Sequence, residues 1–131
     1  MIYQKTQGIM LKGIERYSGN YGVEPKDVQI HVSADSGNGV LYKMCQGWRP
    51  KEEVTFLQIM GKKMDLLGYE MLSTPFMRKS LEKFANEFDT PIEKVSVFLV
   101  NHKGSIALAV YSSTQCVKTL TLEKHFEEMG M

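Results

Sequence analysis

Trp48, Arg49, Pro50 and Lys51 put an aromatic ring, two cations and a proline in one run. With Pro50 as the first residue of a helix, free backbone N–H groups and the two basic side chains could hold a phosphate or carboxylate. Glu52 and Glu53 would already complement the positive end of that helix, so a structural Trp-Pro helix entry is the plainer expectation. A second group comes from alternation along two strands, which places His31, Lys43 and Cys45 on one face. A thiol beside a cation ionises more readily, which would make the group reactive. No acid stands in the same strand to orient the imidazole, so a solvated or interface surface is expected instead. Trp48, Arg49, Lys51, His31 and Lys43 are therefore the candidate ligand-binding residues, and none is assigned as catalytic. The competing reading is a small enzyme whose site forms at a subunit boundary from His31, Cys45, Trp48 and Arg49.

Other chemistry is not signalled. Gly8 to Gly13 has the glycine spacing of a phosphate loop but lacks the Lys-Ser/Thr that reaches phosphate and Mg²⁺. There is no H-E-x-x-H, G-x-S-x-G, calcium-loop or N-glycosylation pattern. His31, His102 and His125 are not at ligand spacing from one another or from a cysteine, so no metal and no cofactor is expected. His102, in a hairpin loop, and His125, among glutamates on a helix, are expected to be solvated. Cys45 and Cys116 form no C-x-x-C, and the first residues lack a long apolar core, so a cytoplasmic setting with free thiols is expected.

The elements that must position these residues follow from periodicity. Ile2, Tyr3, Thr6, Ile9, Met10, Ile14 and Tyr17 make one stripe of a first helix, weakened by Gly8 and Gly13. Residues 18–26 read as a loop. Asp27 to Ser33 and Val40 to Gln46 alternate as strands joined by a tight turn at Asp35 to Gly39. A three-residue loop at 36–38 sets Val32 opposite Tyr42, Ile30 opposite Met44 and His31 opposite Lys43, keeping the apolar side chains on one face. A long helix is expected from Pro50, with Val54, Leu57, Met60, Met64 and Leu67 inward and a stop at Gly68. Another helix starts at Ser73 or Thr74, burying Met77, Leu81, Phe84 and Phe88. Val95 to Val100 and Ile106 to Tyr111 are apolar on both faces, so both faces of that hairpin need a cover. A strand over residues 116–121 and a short helix with Leu122, Phe126 and Met129 close the chain. Nine methionines, among them Met10, Met44, Met60, Met64 and Met77, suit an irregular core more than a plastic groove.

The expected fold is therefore a single α+β domain over residues 1–131. It has one five-stranded, mainly antiparallel sheet flanked by about four helices, in the order helix, two strands, two helices, three strands, helix. The hairpin at Asp35 to Gly39, the helix from Pro50 and the hairpin at Asn101 to Gly104 occur in an order that resembles the profilin-like superfold. PAS sensors and roadblock-type dynein light-chain and bacterial relatives share that superfold, and the resemblance implies a regulatory or binding module.

Composition narrows the partners. The chain has 131 residues, 43% hydrophobic and 24% charged, enough to build a core without disulfide or metal. Sixteen basic minus fifteen acidic residues leave +1, which disfavours nucleic acid, and no apolar run is long enough for a membrane span. The expected partner is a second copy of the chain, with a small anionic ligand or another protein as further candidates. The expected function is a non-catalytic ligand-binding or interaction module with a regulatory, sensing or sequestering role. Alkylating the unfolded but unreduced chain should modify both cysteines; thiols that react only after reduction would overturn the free-thiol expectation.

Overall fold

In the computed structural model, which describes residues 2–37, 39–61 and 74–130, the chain is α+β with one antiparallel sheet. Helix α1 (Ile2–Tyr21) leads into one 3-10 turn and the strands β1 (Val28–Ala34), β2 (Val40–Gln46) and β3 (Arg49–Thr55). A short α2 (Phe56–Met60) follows, then α3 (Thr74–Glu87), a second 3-10 turn, β4 (Val95–His102), β5 (Ser105–Ser112), β6 (Gln115–Thr121) and α4 (Leu122–Glu128). The strand order is β3-β2-β1-β4-β5-β6.

The register of the first hairpin is the one that alternation dictates: Val32 pairs with Tyr42, Ile30 with Met44 and His31 with Lys43. Asp35 holds the tip, its Oδ1 accepting from the N–H groups of Gly37 at 2.9 Å and Gly39 at 3.0 Å. Helix α1 runs a turn further than its stripe suggests, to Tyr21, and stops where Gly22 takes a positive φ of 65°.

The segment from Pro50 departs from expectation. It is a strand and not a helix, so the sheet gains a sixth strand. Gly47 and Trp48, with φ of 61° and 68°, form a two-residue hairpin turn, and the chain reverses where a helix entry was expected. Pro50 suits an edge strand as well as a first helical turn, because either position can dispense with its N–H. The helix starts only at Thr55, whose Oγ1 accepts from Gln58 N–H at 3.1 Å while its own N–H donates to Gln58 Oε1 at 2.8 Å. That phase buries Phe56 and Met60 and leaves Leu57, expected inside, 48% exposed. Met64, Leu67 and Gly68 lie outside the described residues.

The two halves of the chain repeat one plan. Each is a helix, a loop, a 3-10 turn with a proline at or just before its first residue, three antiparallel strands and a helix capped by threonine, Thr55 in one and Thr121 in the other. Helix positions 67 apart match in kind: Met10 with Met77, Ile14 with Leu81, Tyr17 with Phe84, all buried. The strand order reads the same from either edge, with the pseudo-two-fold between β1 and β4, where His31 pairs with its own equivalent Phe98.

All four described helices pack on one face of the sheet. Their buried side chains join Val28, Ile30, Val32, Met44, Val95, Val97, Leu99, Leu108 and Val110 in one core. Phe84 and Leu81 have no exposed surface. Glycine has opposite roles at its two positions in α1. A Cβ on Gly13 would overlap the buried Phe56 ring, whereas one on Gly8 meets nothing within 4 Å. Gly8→Ala should therefore stabilise by about 0.5–1 kcal/mol through helix propensity. Gly13→Ala should destabilise by about 1 kcal/mol or more, because overpacking against a ring that cannot move out of the core outweighs that gain. Denaturant unfolding of both variants checks the signs.

Candidate functional site

The opposite face of the sheet has a small core of its own: Cys45, Phe98 and Ala109 are buried, with Val100 and Tyr111 packed against them. No helical residue belongs to this cluster. The apolar second side of the β4–β5 hairpin, expected to need a cover, thus has no helix over it among the described residues. Its partial cover among the described residues includes a side chain from the β2–β3 turn. Trp48 reaches across β1 to lie edge-on to Phe98, ring centroids 5.3 Å apart, and 6.5 Å from Tyr111. Phe98 in turn meets Tyr111 at 5.2 Å and His31 at 4.8 Å.

The turn that presents Trp48 is held from the neighbouring strand. Gln29 is buried, and its Oε1 accepts from the Trp48 N–H at 2.7 Å; the Gly47 N–H donates to the Asp27 carbonyl at 2.8 Å. Trp48 nevertheless occupies a positive-φ position that favours glycine or asparagine, and 47% of it stays exposed. A large ring is thus held in strained backbone and left half in water. Leu41, 44% exposed, extends the apolar surface along β2.

The five candidate ligand-binding residues separate. His31 and Lys43 are cross-strand neighbours on the open face. Trp48 arches over it, while Arg49 and Lys51 are exposed on edge strand β3. Among the described residues no helix begins at Pro50, so neither the helix entry expected there nor the anion site considered at its N-terminus is formed; the next helix along the chain starts at Phe56. A cleft of about 430 Å³ lies elsewhere, along α3, lined by Arg78, Glu82, Asn86 and Thr90 among others. Nor is Cys45 a reactive thiol beside Lys43, the reading that the sequence disfavoured. Burial pushes the Cys45 thiol up to about 12, against a backbone hydrogen bond from His31 and the charge of Lys43. It is therefore a protonated, buried side chain, whereas Cys116 is exposed, and both are free. Among the described residues no three His, Cys, Asp or Glu side chains converge as a metal site, and no described helix is long and apolar enough to cross a membrane. Compared with known proteins, the chain matches no family model, no curated protein and no solved structure.

His125, expected to be solvated, has no exposed surface. Its Nε2 lies 2.8 Å from Ser80 Oγ, and its ring stacks on Phe84 with centroids 5.3 Å apart. The amphipathic stripe of α4 is one residue wider than Leu122, Phe126 and Met129, a width that the flanking glutamates conceal. In the other half the same place is taken by Ile59, so the fold does not require a histidine there. Burial, with Lys83 close by, lowers its pKa from 6.5 to about 4. A histidine whose folded pKa is depressed adds stability that is complete above about 6.5 and lost as pH falls towards 4. The gap, at ~1.4 kcal/mol per pH unit, is on the order of 3 kcal/mol. His125→Ile should flatten the stability profile between about pH 6.5 and 4 in urea titrations; an unchanged slope would place the sensitivity elsewhere.

Proposed function

We propose that this chain is a non-catalytic interaction module that buries the open face of its sheet against a second copy of itself. The observation that supports this most is Trp48, a half-exposed aromatic in strained backbone against the Phe98 and Tyr111 rings. Aromatic residues are enriched and charges depleted at the centre of protein interfaces. On the outward side of β1, β2, β4 and β5 the pairing places Gln29, His31, Ser33, Leu41, Lys43, Cys45, Ser96, Phe98, Val100, Ala107, Ala109 and Tyr111, and Lys43 is the lone formal charge in that set.

The dimensions suit a dimer. Six strands at ~4.8 Å spacing and about seven residues at ~3.3 Å rise give a projected face of roughly 600 Å². The corrugated accessible surface is larger than its projection, which brings it close to the ~800 Å² per partner of a standard interface. Two such faces would stack ~10 Å apart, as in a β-sandwich. A two-fold operator satisfies both copies with one patch, and it would bring the outward side of the Val95 to Tyr111 hairpin into the contact. The reading rests on this face and not on the resemblance of element order to the profilin-like superfold. A regulatory or sequestering role is the class of activity such a module serves.

The enzyme alternative has less to draw on, because Cys45 is a buried thiol and Arg49 is on the sheet edge away from His31. Sedimentation equilibrium tests the proposal. The chain should reach twice 14.9 kDa, and Trp48→Ala should weaken association at least ~10-fold while leaving the unfolding midpoint close to that of the parent. A mass of 14.9 kDa at every concentration up to ~100 μM rules the dimer out.

A further inference from the structure

We propose that the cleft along α3 binds a small zwitterion, a free α-amino acid, with its carboxylate on Arg78 and its ammonium on Glu82. Helix α3 packs on the covered side of the sheet, so this site goes beyond the open-face dimer and stands apart from it. Among the described residues the cleft of about 430 Å³ is lined by Arg78, Glu82, Ala85, Asn86, Thr90 and Ile92, a volume within the range of small-ligand sites. Arg78, Glu82 and Asn86 follow at steps of four and so form one stripe of the helix. Ala85 and Ile92, the latter opening the 3-10 turn Ile92–Lys94, give the cleft its apolar lining.

The guanidinium is held in place with one edge unused. Arg78 Nη1 donates to the Gly39 carbonyl at the tip of the first hairpin at 3.1 Å, and 17% of the side chain is exposed. Its Nε is buried and has no hydrogen-bond partner, since Glu82 Oε2 stands 3.9 Å away, beyond hydrogen-bond reach. A buried donor without an acceptor costs stability, and the Nε–Nη2 edge of a guanidinium is the edge that takes a carboxylate by two parallel hydrogen bonds. The internal repeat shows that the fold does not ask for this group. Positions 67 apart keep step through the end of the helix: Gly22 and Asp89 both have positive φ, and Val23 N–H donates to the Ser18 carbonyl as Thr90 N–H does to that of Ala85. At that offset Leu11 stands for Arg78, Gly19 for Asn86 and Val23 for Thr90, and only Glu82 recurs, as Glu15.

Charge selects the ligand. Arg78 and Glu82 sum to zero, so a simple anion on Arg78 would lie against a like charge. A molecule with an ammonium beside its carboxylate answers both residues, and Glu82, 55% exposed, has the freedom to turn towards it. Asn86, exposed one turn further on, offers both a donor and an acceptor. The hydroxyl of Thr90 is already tied to the Phe88 carbonyl at 3.0 Å and to Ser112 Oγ at 2.7 Å, which makes it a fixed wall.

The test is heteronuclear NMR titration of the full chain at neutral pH with glycine, L-alanine and L-leucine, alongside acetate and methylammonium, which carry one charge each. Amide shifts centred on residues 78–92 should saturate by ~10 mM for at least one amino acid, with acetate and methylammonium ~10-fold weaker or more. Arg78→Leu, which installs the residue of the first half, and Arg78→Lys, which keeps the charge without the Nε edge, should each weaken binding at least ~10-fold. Glu82→Gln should weaken the amino acid and leave acetate bound as well or better. The unfolding midpoints of Arg78→Lys and Glu82→Gln report folding. No saturating shift with any amino acid up to ~10 mM overturns the proposal. Binding that survives both Arg78 substitutions assigns the ligand to another place and overturns the site. Acetate as tight as the amino acids, or indifference to Glu82→Gln, reduces the contact to a bare anion and overturns the zwitterion. Molecular mass is the readout of the dimer, so failure of either proposal is seen separately from the other.

Discussion

The pairing of β1 with β4 is the constraint on which the rest of this structure depends. It joins two similar helix–strand–strand–strand–helix halves into one sheet, and its antiparallel register sets Ile30 against Leu99 and Val32 against Val97. Those pairs belong to the helix-covered core, so their neighbours His31 and Phe98 must point the other way. Both helices of each half then lie on the same side of a continuous sheet. The open face follows from that pairing: among the described residues the helices of each half cover one side of its three strands, and joining the halves edge to edge adds no helix to the other.

The two faces have diverged in character. On the covered side the halves remain close equivalents, because a packed core tolerates little change of volume: Met10 answers Met77 and Ile14 answers Leu81. On the open side His31 corresponds to Phe98, Lys43 to Ala109 and Cys45 to Tyr111, so the second half is the more apolar. Trp48, from the first half, leans onto that apolar half and makes a single off-centre cluster. The last helix shows the same divergence inside the core, where Ser80 and His125 stand in place of Gly13 and Ile59. The polar pair sits in a box of Phe76, Phe84 and Phe126. Beside it, Lys83 and Lys118 are held by Glu87 and Glu128 at 3.0–3.4 Å, tying α3, β6 and α4 together.

Much was legible in the sequence alone. Alternation determined the first hairpin, down to His31 opposite Lys43, since the side-chain period of a strand is two and a slip of one residue would turn every apolar group outward, and apolar runs either side of Asn101 to Gly104 marked the second. Three-and-four spacing determined α1 and α3, and the threonine at residue 121 marks where the last strand gives way to α4. The α+β class and the doubly apolar hairpin were equally readable. The internal repeat was present in the sequence too, in matched buried positions 67 apart, although substitutions such as Tyr17 for Phe84 leave little identity to notice.

Only the tertiary structure decided the rest. Residues 49–55 have a spacing that a helix or an edge strand could use, and the choice fell to pairing with β2 through a turn whose second residue, a tryptophan, is not a turn former. His125 is polar and lies among charges, but α3 packs over it and excludes water. Which face of the sheet the described helices cover depends on where elements distant in sequence settle, and periodicity within a strand carries no information about that. Local patterns report the period of an element and its apolar side; what occupies the space beyond that side is set by long-range packing.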